Sequence, residues 1–314
     1  MTMRTPNPMD SAQSLLDLQR SKERYGGYVN QLSSGNRVTN LGDDPTGAAL
    51  ISDFQTSIDR NNQYMAQIDN ASNLLQGTES ALDAVNNNLT RVLELGQEGM
   101  TEGAGPMARQ AISKEVAALG NDLIATANSK QQGKFLFGGT RTTTQPFGGV
   151  VPAAKDKDNK DLRQTVAYHG DSNAINLDVS TSTKVTTNLP GDAVFYGPGG
   201  PGSATDVFAA VQALNDGLKA DDTEKITQAY HDIEAIAVRI NDTLTEVGGR
   251  QGGMESLKSG MSAYNASLNS IQSNIQSTDY PTTITSLNKE NQAQQATLSV
   301  MAKANAKNLF DYIG

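Results

Sequence analysis

The stretch that decides the fold is residues 279–314, DYPTTITSLNKENQAQQATLSVMAKANAKNLFDYIG. Ile284 and Leu287, then Leu298, Met301 and Ala302, then Leu309, Phe310 and Ile313 recur at helical spacing, with mostly Gln, Asn, Ser, Thr and Ala between them. Pro281 suits the first turn of such a helix, where its missing N–H would have no intrahelical partner anyway. An apolar stripe this narrow does not hold a helix in place alone and needs a partner. The best candidate for that partner is the other end of the chain, so that the chain closes on itself or its ends finish folding only against other copies. Leu15, Leu18, Tyr25, Val29 and Leu32 follow the alternating three- and four-residue steps of a coiled-coil seam, interrupted at Lys22. This first helix is expected to start near Asp10 or Ser11 and run to Ser34, with Gly35 in the left-handed conformation that ends helices. Gly26-Gly27 in its middle reads as a soft spot with room for close packing, at roughly 1 kcal/mol per glycine against alanine.

Inward from the ends, a short connector leads to Asp43-Asp44-Pro45, where either aspartate suits an N-cap and Pro45 a first helical position. The helix that follows carries Leu50, Phe54, Ile58, Met65, Ile68, Leu75, Leu82, Val85, Leu89 and Val92. Unbroken to Gly99 it would span roughly 80 Å at 1.5 Å per residue; Gly77-Thr78 is the expected point of interruption. A further helix is predicted from Pro106 through Ile112, Val116, Leu119, Leu123 and Ile124 to near Gly133. Composition then changes. Phe135 to Thr140 reads as a strand and tight turn, and Thr142 to Pro201 is rich in Thr, Val, Gly and Pro with short alternations such as Ile175-Asn-Leu177-Asp-Val179. Lys155 to Lys160 reads as a solvated loop. Helical periodicity returns at Asp206 and continues to a seam of Leu257, Met261, Tyr264, Leu268, Ile271 and Ile275 beyond the glycines at 248, 249, 252 and 253. The fold class is therefore mainly α with a β-rich insert: paired N- and C-terminal helices forming coiled-coil or helical-bundle rods, and a small β domain in the middle. The expected division is 1–42 with 279–314 as a terminal coiled coil, 43–141 with 202–278 as a helical rod, and 142–201 as an outer insert.

Composition narrows the function. The 314 residues carry a formal charge of −9, no Trp, 5% aromatics and no Cys, and the mean hydropathy is −0.46. The acidic balance without a clustered basic face argues against nucleic-acid binding. Absent cysteine rules out disulfides and thiolate metal ligands. No apolar run is long enough to span a bilayer, and Met1 to Pro8 lacks the apolar core of a secretory signal. A search for catalytic constellations finds two histidines, His169 and His231, without ligand spacing, no phosphate-binding loop and no nucleophile elbow. Asp43-Asp44 and Asp221-Asp222 each precede a helix, where capping accounts for them. Tyr25, Tyr28, Tyr230 and Tyr264 read as packed seam residues. No catalytic residue, cofactor or metal is expected.

Several motifs then occur together and in order. Leu32-Ser-Ser-Gly-Asn-Arg-Val38 with Asp43-Asp44-Pro45-Thr-Gly47, Gly77-Thr-Glu-Ser-Ala-Leu-Asp83, Asn86 to Leu95, and Asp279-Tyr280 before the last helix resemble the bacterial flagellin family. Within it, Ala127 to Lys130, Lys134 to Phe147, Tyr168-His-Gly-Asp171 and Asp206-Val-Phe208 are similar to the hook-associated protein 3 type, the hook–filament junction subunits. The resemblance implies a structural, non-enzymatic subunit whose paired terminal helices form the inner tube of an axial filament. Its implied partners are copies of itself in a helical layer, a hook-side junction protein, filament flagellin, and an export chaperone with the flagellar type III export apparatus, with no nucleic acid and no membrane insertion. It also implies an extracellular location, reached without a cleaved signal peptide. The alternatives are a flagellin forming the bulk of the filament and, from another class, a generic coiled-coil scaffold or an enzyme with an exotic site. Assembly is expected to run through Leu15, Leu18, Tyr25, Val29, Leu32 and Arg37 at one end and Leu298, Met301, Leu309, Phe310 and Ile313 at the other.

Overall fold

Local capping sets most element boundaries. The computed structural model describes the backbone of residues 8–40, 42–101, 103–155, 161–180 and 183–313, and side chains over the same ranges except 8–11, 154, 161 and 304–313. Helix α1 spans Pro8–Ser34, starting slightly before the expected cap, and ends where Gly35 takes φ +71° and returns its N–H to the Gln31 carbonyl at 2.9 Å. Helix α2, Pro45–Met100, begins with Asp44, whose carboxylate accepts from the Gly47 N–H at 2.9 Å. It runs unbroken through Gly77-Thr78, contrary to the sequence expectation. A Cβ at Gly77 would sit 3.2 Å from the Gln131 side chain, and Thr78 is buried with its hydroxyl donating to the Leu74 carbonyl at 2.9 Å. Close packing against the strands after α3 explains that glycine, and burial of Leu75 and Leu82 on either side carries the helix across it.

Helix α3, Pro106–Ala127, stops about two turns short of Gly133. The Asn128 amide donates to the carbonyls of Ile124 at 2.9 Å and Phe147 at 2.8 Å, and its side-chain oxygen accepts from the Phe147 N–H at 2.9 Å. One side chain thus ends the helix and receives the next segment. Strands β1, Lys130–Gln131, and β2, Lys134–Phe135, form a hairpin across Gln132 and Gly133, both at positive φ, as a two-residue turn of this kind requires. Of the stretch from Phe135 to Thr140 only Phe135 is in a strand, and Phe137 joins the core instead.

Between 142 and 201 the described residues form pairs rather than a sheet. Strands β3 (Phe147–Val151) and β6 (Thr165–Tyr168) pair antiparallel with a register shift after Phe147, where Gly149 takes φ +76°. Strands β4 (Ala154–Lys155) and β5 (Asp161–Leu162) pair, as do β7 (Asn176–Asp178) and β8 (Lys184–Thr186). Residues 156–160, read as a solvated loop, lie outside the described residues. A π-helical turn at Asp192–Tyr196 leads to α4, Val207–Lys219. Helix α5, Thr223–Gln276, passes through all four glycines, and α6 is Tyr280–Ile313.

The chain forms two compact units, residues 1–60 with 263–314, and residues 61–262. The larger holds a continuous core. Leu75, Leu82, Val85, Leu89 and Val92 of α2 meet Val116 and Leu123 of α3, Leu214 and Leu218 of α4, and Ile226, Ile233, Ile236 and Ile240 of α5. Phe137, Phe147, Val179, Phe195 and Phe208 belong to the same core, with Phe137 and Phe147 each edge-on to Phe195 at 5.1 Å. The β-rich segment is thus anchored in the helical core by its aromatic side chains. In the smaller unit, Val38, Ile58 and Leu268 are the buried apolar side chains among the described residues.

Candidate assembly surface

In the smaller unit, α1 and α6 run antiparallel. The Thr278 N–H donates to the Gly35 carbonyl at 2.9 Å and the Arg37 N–H to that of Gln276 at 2.7 Å, while Asn36 bridges Ser277. About four turns further along α1, the Ser21 hydroxyl donates to Glu290 Oε2 at 2.7 Å and Arg24 Nε to Glu290 Oε1 at 2.6 Å. The least exposed positions of α1 include Ser14, Leu18, Ser21, Tyr25, Tyr28 and Leu32, and those of α6 include Thr283, Leu287, Glu290, Gln294, Thr297 and Met301. Both sets step in fours and threes, as a coiled-coil seam does, but half or more of their members are polar.

Leu18, Tyr25, Leu32 and Met301 therefore lie on the faces that meet. Leu15, Val29 and Leu298, expected to pack within this helix pair or against neighbouring subunits, are 58%, 41% and 53% exposed in the single chain. Tyr264 and Ile271 of α5 depart in the same way, exposed beside inward Asn265 and Leu268. Each helix has two stripes: a mixed polar one turned inward, and an apolar one about 100° around, at positions next to the inward ones. Leu309, Phe310 and Ile313 are on the backbone of α6, and their side chains lie outside the described residues. Sequence reasoning missed Ser21, Arg24 and Glu290, although the break in the apolar pattern at Lys22 marked the place.

Arg37 ties the connector down. Its guanidinium donates to Asp44 at 3.0 Å and to the Ile275 carbonyl at 3.0 Å, while the Asp43 carboxylate accepts from the Thr39 and Asn40 N–H groups at 3.0 and 2.8 Å. These bonds hold both carboxyls below the usual carboxylate range, led for Asp43 by the Asn40 N–H and for Asp44 by the Gly47 N–H. Gly47 is required there, since a Cβ would meet the Asp44 carboxylate at 2.6 Å and Ile275 at 3.3 Å.

Nothing comparable to a catalytic centre accompanies this surface among the described residues. Asp222 caps α5 by accepting from the Lys225 N–H at 3.1 Å, and Asp221, at φ +55°, pairs with Arg109 at 2.5 Å. The His169 ring meets the Gly148 carbonyl and the His231 ring meets Glu234. No group of three or more His, Cys, Asp or Glu side chains among the described residues is placed to hold a metal. A cavity of about 250 Å³ between α3, α4 and β6 is lined by Val116, Leu123, Val166, Phe208 and Val211 with amides and Thr165, and no ionisable group faces it. No described helix is long and apolar enough to cross a membrane.

Two family models match the chain: the bacterial flagellin N-terminal helical region over residues 7–142 and the bacterial flagellin C-terminal helical region over residues 225–313. The flagellar filament 30.7 kDa core protein of Treponema maltophilum is 23% identical over 287 residues, covering 91% of this chain and 90% of that protein. Flagellar hook-associated protein 3 of Escherichia coli K12 is 24% identical over 331 aligned positions, covering 98% of this chain and 99% of that protein. Among solved structures, the flagellar junction protein of Legionella pneumophila superposes with a TM-score of 0.56 at 17% identity, covering 72% of this chain and 100% of that one.

Proposed function

Because the chain belongs to the bacterial flagellin family, we propose that it is a structural subunit of the flagellum, forming the junction layer between hook and filament. The observation that carries assembly is the imbalance of the smaller unit. Among the described residues, beside three buried apolar side chains it exposes Leu15, Leu16, Val29, Leu50, Ile271, Ile284, Leu298 and Val300. A surface of that kind marks a contact with other chains. Heterologous contacts between copies that do not close generate helical tubes, with residues 1–42 and 279–314 as the inner tube and the strand-bearing part of 142–201 facing outward. In favour of the junction over the filament is the end-to-end match to a hook-associated protein 3, together with the aromatic motif from Lys134 to Phe147, which builds core rather than loop. The neighbours in this reading are copies of itself, a hook-side junction protein and filament flagellin, and its place is outside the cell after export by the flagellar type III apparatus with a chaperone. It carries no enzymatic role.

Deleting the gene tests this. Cells are expected to keep an intact hook and lose the filament, and added purified subunit to restore filament growth. Normal filaments in the deletion strain would overturn the junction reading. The likeness to a filament core protein favours a second reading, bulk filament subunit, and stoichiometry in purified filaments separates the two: a few copies per filament for a junction, thousands for a filament protein.

A further inference from the structure

From the polar cluster in the middle of the terminal helix pair we infer that Ser21, Arg24 and Glu290 determine which helices pair. They make α1 select α6 and make each helix reject a copy of itself. The seam offers little other discrimination. Among the described residues, its inward positions mix Ser, Thr, Gln and Tyr with Leu18, Leu32, Leu287 and Met301, so large apolar knobs that could fix the partner are few there. Ser21 is 7% exposed and the Glu290 side chain 16% exposed, while Arg24 covers it from the rim of the seam with its own side chain 53% exposed. Its two oxygens are satisfied there by one hydroxyl and one guanidinium.

Self-pairing of either helix leaves these groups mismatched. Two α6 helices packed in register through the same face would set Glu290 against Glu290, and two α1 helices would set Arg24 near Arg24 at the rim of the seam. Like charges in a seam oppose pairing, and a single polar position in a coiled coil specifies partner and register at the expense of stability. The interruption at Lys22 thus marks the level at which the specificity is placed. In an assembly that crowds many identical ends together, such a device keeps each chain's α1 on an α6. The inference concerns pairing within the chain and holds whether or not the subunit sits at a junction.

The absence of cysteine makes the test clean. Leu18→Cys with Gln294→Cys reports α1–α6 pairing as an intramolecular disulfide in the full-length chain at low concentration. Gln294→Cys alone reports α6–α6 pairing as a disulfide-linked dimer. Both are measured in native, Arg24→Glu, Glu290→Arg and charge-swapped Arg24→Glu/Glu290→Arg backgrounds, and the dimer also in Glu290→Leu. Thermal unfolding of residues 61–262 checks that each variant is folded. The intramolecular link is expected to fall about two- to fivefold in each single charge variant, the range of partly exposed ion pairs, and to recover in the swap. The dimer is expected to rise in Glu290→Leu by a similar factor. Equal links in all backgrounds, no recovery in the swap, or no preferred α1–α6 link in the native chain would each overturn the assignment.

Discussion

Asp206 shows how much a single residue holds in this chain. Its side chain is fully enclosed, and its carboxylate accepts from the Gly202 N–H at 2.7 Å, the Phe208 N–H at 2.9 Å and the Ala209 N–H at 3.2 Å. It caps α4 and fixes the glycine-rich turn before it in one step. Burial pushes its carboxyl above the usual range, against the bonds that favour the charged form. Arg239 lies close by, donating to the carbonyls of Ala193 at 3.2 Å and Thr205 at 2.7 Å and to that of Val194. Asp206→Ala strands several buried N–H donors at once. It is expected to lower unfolding free energy by about 2–3 kcal/mol, read by chemical denaturation. A loss below about 0.5 kcal/mol would show that water replaces the carboxylate without penalty.

At the scale of elements, α5 is the informative helix. Gly248, Gly249, Gly252 and Gly253 lie on its exposed side, with nothing within 4 Å of the Cβ that each would carry, while Val247 and Met254 face the core. None of the four takes a positive φ, so neither space nor backbone conformation requires glycine in the single chain. Replacing one or more of them with alanine is expected to raise stability by roughly 0.5–1 kcal/mol each, measured as a shift of the urea midpoint at unchanged slope. Destabilisation instead would reveal that these glycines relieve a strain in the helix that open space does not show.

For the molecule as a whole, the two units differ in how they are held. Residues 61–262 close around a thick apolar core, and segment 142–201 cannot be removed from it cleanly, because Phe147 and Phe195 would leave cavities among the helices. Among the described residues, the smaller unit is held by backbone bonds at Gly35 and Thr278, the Arg37 and Glu290 clusters, and few buried apolar groups. Leu15→Ala with Leu298→Ala should therefore leave the melting temperature of the isolated chain within about 1–2 °C, since exposed truncations usually change stability by under about 0.5 kcal/mol. The same pair should sharply reduce incorporation at hook tips, measured with labelled exogenous subunit. Normal incorporation would remove these residues from the assembly surface, and a large drop in melting temperature would mean that they already pack within the chain.

Sequence periodicity determined the helices, their order and their partners, because buried side chains must recur every three or four residues whatever they pack against. The cap residues Asp44 and Asp222 and the glycine at 35 were legible for the same local reason: the bonds they make lie within a few residues. The resemblance carried by Leu32 to Gly47 and Lys134 to Phe147 pointed to the family. Only the tertiary structure decided which stripe of each terminal helix turns inward. One residue along a helix is a rotation of about 100°, so Leu15 and Ser14, or Leu298 and Thr297, are separated by that rotation alone. A sequence rule that places apolar residues inside a single chain gives the wrong member of each pair here. The mixed stripe, with Leu18, Leu32, Leu287 and Met301 among its polar residues, pairs within the chain and leaves Leu15, Val29, Ile284 and Leu298 uncovered, which is the arrangement expected when part of a fold is completed by neighbouring copies.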